Sequence, residues 1–163
     1  MVPSVYRRGD GTVIAQRSSR FGAQFALLLA LSLTIVACSS PQMVFVDEGN
    51  SYDLESISEL LATVDRPSIE GRDIDEASDL RREALIELRS QGQDATELAE
   101  FVTRTLPDNG RSVPYYGEAA VTNGSDTWVL LEMWGPENGV LDHARIWVFD
   151  RATGDILYSS SSQ

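Results

Sequence analysis

Three sets of residues have side chains of the kind that do chemistry. They are the only thiol, Cys38; the only imidazole, His143, with Glu132 upstream of it; and two carboxylate clusters, "DEGNSYD" at 47–53 and "DIDEASD" at 73–79. A carboxylate beside an imidazole orients the ring and raises its affinity for a proton, which is how a general base is made. Such a base needs a partner to activate. No serine lies in a Gly-x-Ser-x-Gly turn, so Glu132 and His143 read first as a cross-strand surface contact and only second as the core of an envelope enzyme. Neither acidic cluster has the central glycine and terminal glutamate of a calcium loop, and the second reads better as helix capping. A phosphate loop, a dinucleotide fingerprint and a cysteine-based metal site are all missing from the sequence. No metal or cofactor is therefore expected.

Charge narrows the classes further. All thirteen basic residues are arginine, and the balance changes sign at Cys38. Before it stand Arg7, Arg8, Arg17 and Arg20 against Asp10, a balance of +3; from it onward nine arginines face twenty-four acidic residues, a balance of −15. A domain that acidic repels phosphate backbones and anionic headgroups, which excludes nucleic-acid binding as a leading function. At 163 residues and 42% hydrophobic content the chain suits one domain of ordinary core size.

Residues 25–37, "FALLLALSLTIVA", are apolar or small and follow the arginine-rich stretch, the layout of an export signal. The run is short for a spanning helix, which needs about 20 apolar residues. Ile35, Val36, Ala37 and Cys38 resemble the lipobox of bacterial lipoproteins: a branched aliphatic, a small or aliphatic residue, alanine, then cysteine. The resemblance implies cleavage before Cys38, diacylglycerol attached to its thiol as a thioether, and a covalent lipid anchor in the membrane. Two or more acyl chains anchor firmly, because each buried methylene contributes about 0.8 kcal/mol. The implied location is the cell envelope, outside the cytoplasm, on the outer leaflet of the cell membrane or on the outer membrane.

The elements that would position any site lie beyond this point. Residues 38–50 read as a tether whose Val44, Phe45 and Val46 either form a short strand or pack on the domain, and 51–163 as the globular domain. Helical spacing predicts a first helix over 54–64 and a second from Asp73, with Glu76 closing a capping box, to near Gly92. A third is predicted to start at a cap formed by Asp94 with Glu97 and to stop at Pro107. From Val113 the pattern becomes alternation, with strands near 113–122, 127–135, 140–149 and 156–160 and turns at "TNGSD", "GPENG" and "RATGD". The fold class is α+β: two to three helices packed on a four-stranded antiparallel meander.

Four-residue loops at 136–139 and 151–154 would set Trp128 opposite Trp147, Leu130 opposite Arg145, Glu132 opposite His143, Trp147 opposite Tyr158 and Phe149 opposite Ile156. Both sheet faces are then apolar. One collects Trp128, Trp134, Arg145, Trp147 and Tyr158, the residue types of an interface centre. The other holds Val129, Leu131, Met133, Ala144, Ile146, Val148 and Leu157. The helices can cover one face, and the second is either wrapped by the tether and first helix or left for a partner. The expectation is a non-enzymatic envelope module that binds an envelope protein through its sheet; a lipid or small-ligand carrier domain is a third class.

Overall fold

The alternation of the second half sets the frame. In the computed structural model, which describes residues 43–163, β3 (Ser112–Thr122), β4 (Ser125–Trp134), β5 (His143–Asp150) and β6 (Ile156–Ser162) pair as an antiparallel meander. Asn123 and Gly124, both at positive φ (49° and 85°), make the two-residue turn between β3 and β4. An Asn-Gly pair is suited to that geometry because its twist matches that of the flanking strands. Residues 1–37, expected to form an export signal, with Ile35, Val36 and Ala37, and Cys38, expected to carry lipid, lie outside the described residues.

The sheet is larger than a four-stranded meander. β1 (Val44–Val46) and β2 (Ser51–Tyr52) both run parallel to β3, so the sheet is mixed and six-stranded, with β1, β3, β4, β5 and β6 in that order and β2 also on β3. Burial explains why residues 43–50 join the domain rather than hang as a tether: Met43 is a core residue at 2% exposure, and Phe45 packs toward Trp128. Gln91, in the turn that follows the second helix, fixes this segment. It receives the Phe45 N–H at 2.9 Å and donates to the Met43 carbonyl at 2.7 Å.

Three helices fill the stretch between β2 and β3. The first is shorter than its periodicity predicts, a 3₁₀ turn (Ile57–Glu59) running into α1 (Leu60–Thr63). The second follows the capping signal at Asp73, whose carboxylate accepts the Asp75 N–H at 3.0 Å. Glu76 does not complete a capping box but pairs with Arg72, and a 3₁₀ turn (Ile74–Glu76) leads into α2 (Ala77–Arg89). The third, α3 (Gln93–Thr105), starts after Gly92 instead of being capped by Asp94 and stops before Pro107. Its stripe of Leu98, Ala99 and Val102 is fully buried, and a buried Leu or Val contributes roughly 2 kcal/mol.

The two sheet faces are covered by different parts of the chain. α3 lies on the face of Gly117, Leu130 and Phe149: Phe101 meets Phe149 edge-on at 4.9 Å, and a methyl at Gly117 would stand 2.6 Å from Leu98. The opposite face, with Val129, Leu131, Met133, Ala144, Ile146 and Val148 all at 0% exposure, is wrapped by the segment from β2 to the start of α2, including Ile57 and Ile69. Of the two expectations for that face, wrapping by the chain itself is the one observed. The outer edge of β6 pairs with no strand among the described residues. Nor is any helix there long and apolar enough to cross a membrane.

Candidate functional site

The register between β4 and β5 decides which polar groups meet. Leu130 stands opposite Trp147, Glu132 opposite Arg145 and Trp134 opposite His143. This is two residues away from the expected register, and the cause is the loop. Residues 135–142 do not close a tight hairpin because they are stitched to the entrance of α2. Leu141 N donates to Arg72 O and Gly71 N to Leu141 O, both at 2.8 Å, Ile74 N donates to Gly139 O at 3.1 Å, and Leu141 is fully buried. The loop also folds back on itself, since a β-carbon on Gly135 would lie 2.1 Å from the Val140 carbonyl oxygen. Glu132 and His143 are accordingly not partners.

A shift of two keeps every side chain on its face, so Trp134, Arg145 and Trp147 still converge. The Arg145 guanidinium lies 4.7 Å from the Trp134 ring centre and 5.3 Å from that of Trp147. Beneath it Glu132, at 3% exposure, accepts the Trp147 indole N–H at 3.0 Å and stands 3.6 Å from Arg145. The carboxylate fixes both the indole and the cation, and cation–π attraction contributes about 0.5–1 kcal/mol per half-exposed contact. His143 lies tilted by 40° against Trp134 at 4.7 Å between ring centres, with Nδ1 on Asp142 and Nε2 at 2.9 Å from the Gln163 amide. Both ring nitrogens are engaged. The Trp134 indole N–H is sealed from solvent without a partner.

Two residues expected in this cluster do not join it: Trp128 keeps its face but is covered, and Tyr158 changes face. Trp128, opposite Phe149, is 4% exposed and roofed by Arg151, whose guanidinium sits 3.8 Å above the ring. Arg151 is in turn held by Asp94 at 3.3 Å and Glu97 at 3.6 Å. The two acids read as a helix cap are thus spent on a lid over an indole. Tyr158 pairs with Val148, not Trp147, because a bulge at Leu157 adds a residue to β6; Phe149 and Ile156 remain opposite as expected. An odd shift reverses faces, so Tyr158 belongs to the Val148 side.

A second buried carboxylate was not anticipated. Glu118, at 0% exposure, accepts from Asn50 Nδ2 at 2.7 Å, Tyr116 Oη at 2.7 Å and Tyr52 Oη at 3.1 Å. Burial and the neighbouring Glu118 charge push the Tyr52 phenol up to about 12 and raise Tyr116 as well. These phenols stay protonated and act as donors, and the set pins β2 and the residues before it to β3. Among the described residues no group of three or more His, Cys, Asp or Glu side chains is placed to hold a metal ion. Comparison of the chain with protein-family models, with curated proteins and with solved structures gave no match.

Proposed function

We propose that the chain is an exported bacterial lipoprotein, cleaved before Cys38 and held to a membrane of the cell envelope by lipid on that thiol. Its acidic α+β domain serves as a non-enzymatic binding module. The reading rests on the switch of charge at the Ile35–Cys38 motif and, for the domain, on one observation: the Trp134, Arg145 and Trp147 cluster is half-exposed yet rigidly held over Glu132. Preorganised indoles and a guanidinium bind a protein surface at low entropic cost, which is why such residues dominate interface energetics. The −15 balance of the exported part steers association toward a basic partner.

The anchor is tested by palmitate labelling in a bacterial host. Label is expected on the native chain and absent from Cys38→Ala; label that persists in the variant overturns the anchor. The binding surface is tested by crosslinking the tagged, lipidated protein in its own cells. Adducts lost in both Arg145→Ala and Trp147→Ala but kept in Arg66→Ala, an exposed arginine paired with Glu70 in the segment before α2, support the surface. Adducts unaffected by the first two variants overturn it.

A further inference from the structure

A groove of about 250 Å³ runs between α2 and the end of α3, and none of the three tryptophans lines it. Its α2 wall is Ser78, Arg81, Arg82, Leu85 and Arg89, residues brought to one side by helical spacing; Thr103, Leu106 and Asp108 form the other wall. Three of the nine arginines of an acidic domain therefore line one groove.

Ion pairing separates these arginines from the rest. Arg66, Arg72, Arg82, Arg111, Arg145 and Arg151 each pair with a carboxylate, whereas Arg81, Arg89 and Arg104 have none within 4.0 Å among the described residues. Two of those three face this groove. Arg81 is the notable one: only 3% exposed, it makes a single hydrogen bond, from Nη2 to the Leu106 carbonyl at the end of α3. A guanidinium carries five N–H donors, and burying a cation with one neutral acceptor is costly. The sealed, unpartnered polar side-chain atoms of the domain are Tyr115 Oη and Trp134 Nε1, so the spare Arg81 donors are not closed off. Glu132 and Asp108 act on Arg81 only at longer range, and burial pulls its guanidinium below the usual arginine value.

Arg89 presents a second, more exposed guanidinium, steadied by weak bonds from Nη1 to Leu85 O and from Nη2 to Thr103 Oγ1, both at 3.3 Å. The exposed Arg82 is shared with Asp79 at 2.8 Å. Asp108, whose carboxylate accepts the Gly110 N–H at 2.8 Å, puts one negative charge on the opposite rim. Leu85 and Leu106 supply an apolar floor.

We infer that this groove binds a small oxyanion, a carboxylate or a phosphate monoester on a compact body, between Arg81 and Arg89. Charge-assisted bonds from two guanidiniums supply the attraction. Asp108 sets the orientation, by turning the anionic end away from itself.

The test is a titration of the soluble chain, made without its signal, followed by amide and arginine side-chain NMR. Inorganic phosphate is one arm and acetate the other, at ionic strength held constant with sodium chloride. Saturable shifts at Ser78, Arg81, Arg89 and Thr103 are expected, and the arm that saturates at lower concentration identifies phosphate or carboxylate as the preferred class. Arg89→Gln, an exposed substitution that leaves the core intact, should weaken binding about tenfold. Asp108→Asn should tighten it several-fold, a gain that a merely structural role for Arg81 does not produce. Shifts that fail to saturate in both arms, or that saturate unchanged in both variants, overturn the site and leave Arg81 as a cap of α3.

Discussion

Glu118 and Glu132 are two buried carboxylates on one sheet, and the chain treats them in opposite ways. Glu118 sits on the wrapped face and is satisfied by neutral donors, two phenols and an amide, all from β2, β3 and the residues before them. Glu132 sits on the other face, toward the end that the helices leave half-open, and is met by an indole and by cations, Arg145 beside it and Arg81 farther off. The first arrangement closes a joint within the chain. The second holds a cation and two indoles at the surface, which is where a partner reaches them. Burial of a charge marks a structural joint or a site according to whether the groups that satisfy it are themselves accessible.

Substitutions can break that contrast. Glu118→Ala should have the largest effect, because it strands one buried and two half-buried donors at once; a loss of about 3–5 kcal/mol is expected in urea unfolding. Gly117→Ala probes the same strand from the opposite face. Its methyl would meet Leu98 at 2.6 Å and Met43 at 3.3 Å, and overpacking should cost about 1–3 kcal/mol. Glu132→Gln keeps an acceptor for Trp147 but removes the charge near Arg145 and Arg81. About 1–2 kcal/mol should be lost, together with the upfield ring-current shift of the Arg145 side-chain protons as the guanidinium loosens.

The smallest effect belongs to Tyr115→Phe. The Tyr115 hydroxyl is sealed without a partner, so its removal should leave stability unchanged or raise it by up to ~1 kcal/mol. It should also change the alkaline limb. Burial pushes the Tyr115 phenol from 10.0 up to about 12, so the folded state keeps its proton longer than the unfolded one. Stability from this group is whole below pH 10 and is lost as pH rises toward 12. Tyr52 behaves alike, with burial and Glu118 raising it to about 12, so Tyr115→Phe should soften the fall in stability over that window without abolishing it. An unaltered pH profile in the variant would show that Tyr115 does not titrate in this range.

Local chemistry made much of the fold legible. The Asn123-Gly124 turn, the cap at Asp73, the stop before Pro107 and the alternation of β3 to β6 follow from residues close in sequence. What escaped depends on distant groups. The loop at 135–142 is set by bonds to residues 71–74, which no turn rule contains. Because its effect was an even shift, Trp134, Arg145 and Trp147 remained together; the single extra residue at Leu157 was odd and moved Tyr158 across the sheet. Glu118 was invisible for a related reason. In "YYGEAAV" it reads as one polar residue of an alternating strand, while Asn50 and Tyr52 come from 68 and 66 residues away.

The unpaired rim of β6 bears on how the protein behaves in a tube. From Ile156 to Ser162 the strand contains no proline and no charge, the two devices that ordinarily discourage one edge from zipping onto another. Mutual repulsion between strongly acidic copies is left to do that work, and dissolved salt screens it over a Debye length of about 10 Å at 0.1 M. Concentrated stocks should therefore stay clear in dilute buffer and turn turbid as sodium chloride is added, opposite to the salting-in usual for charged proteins.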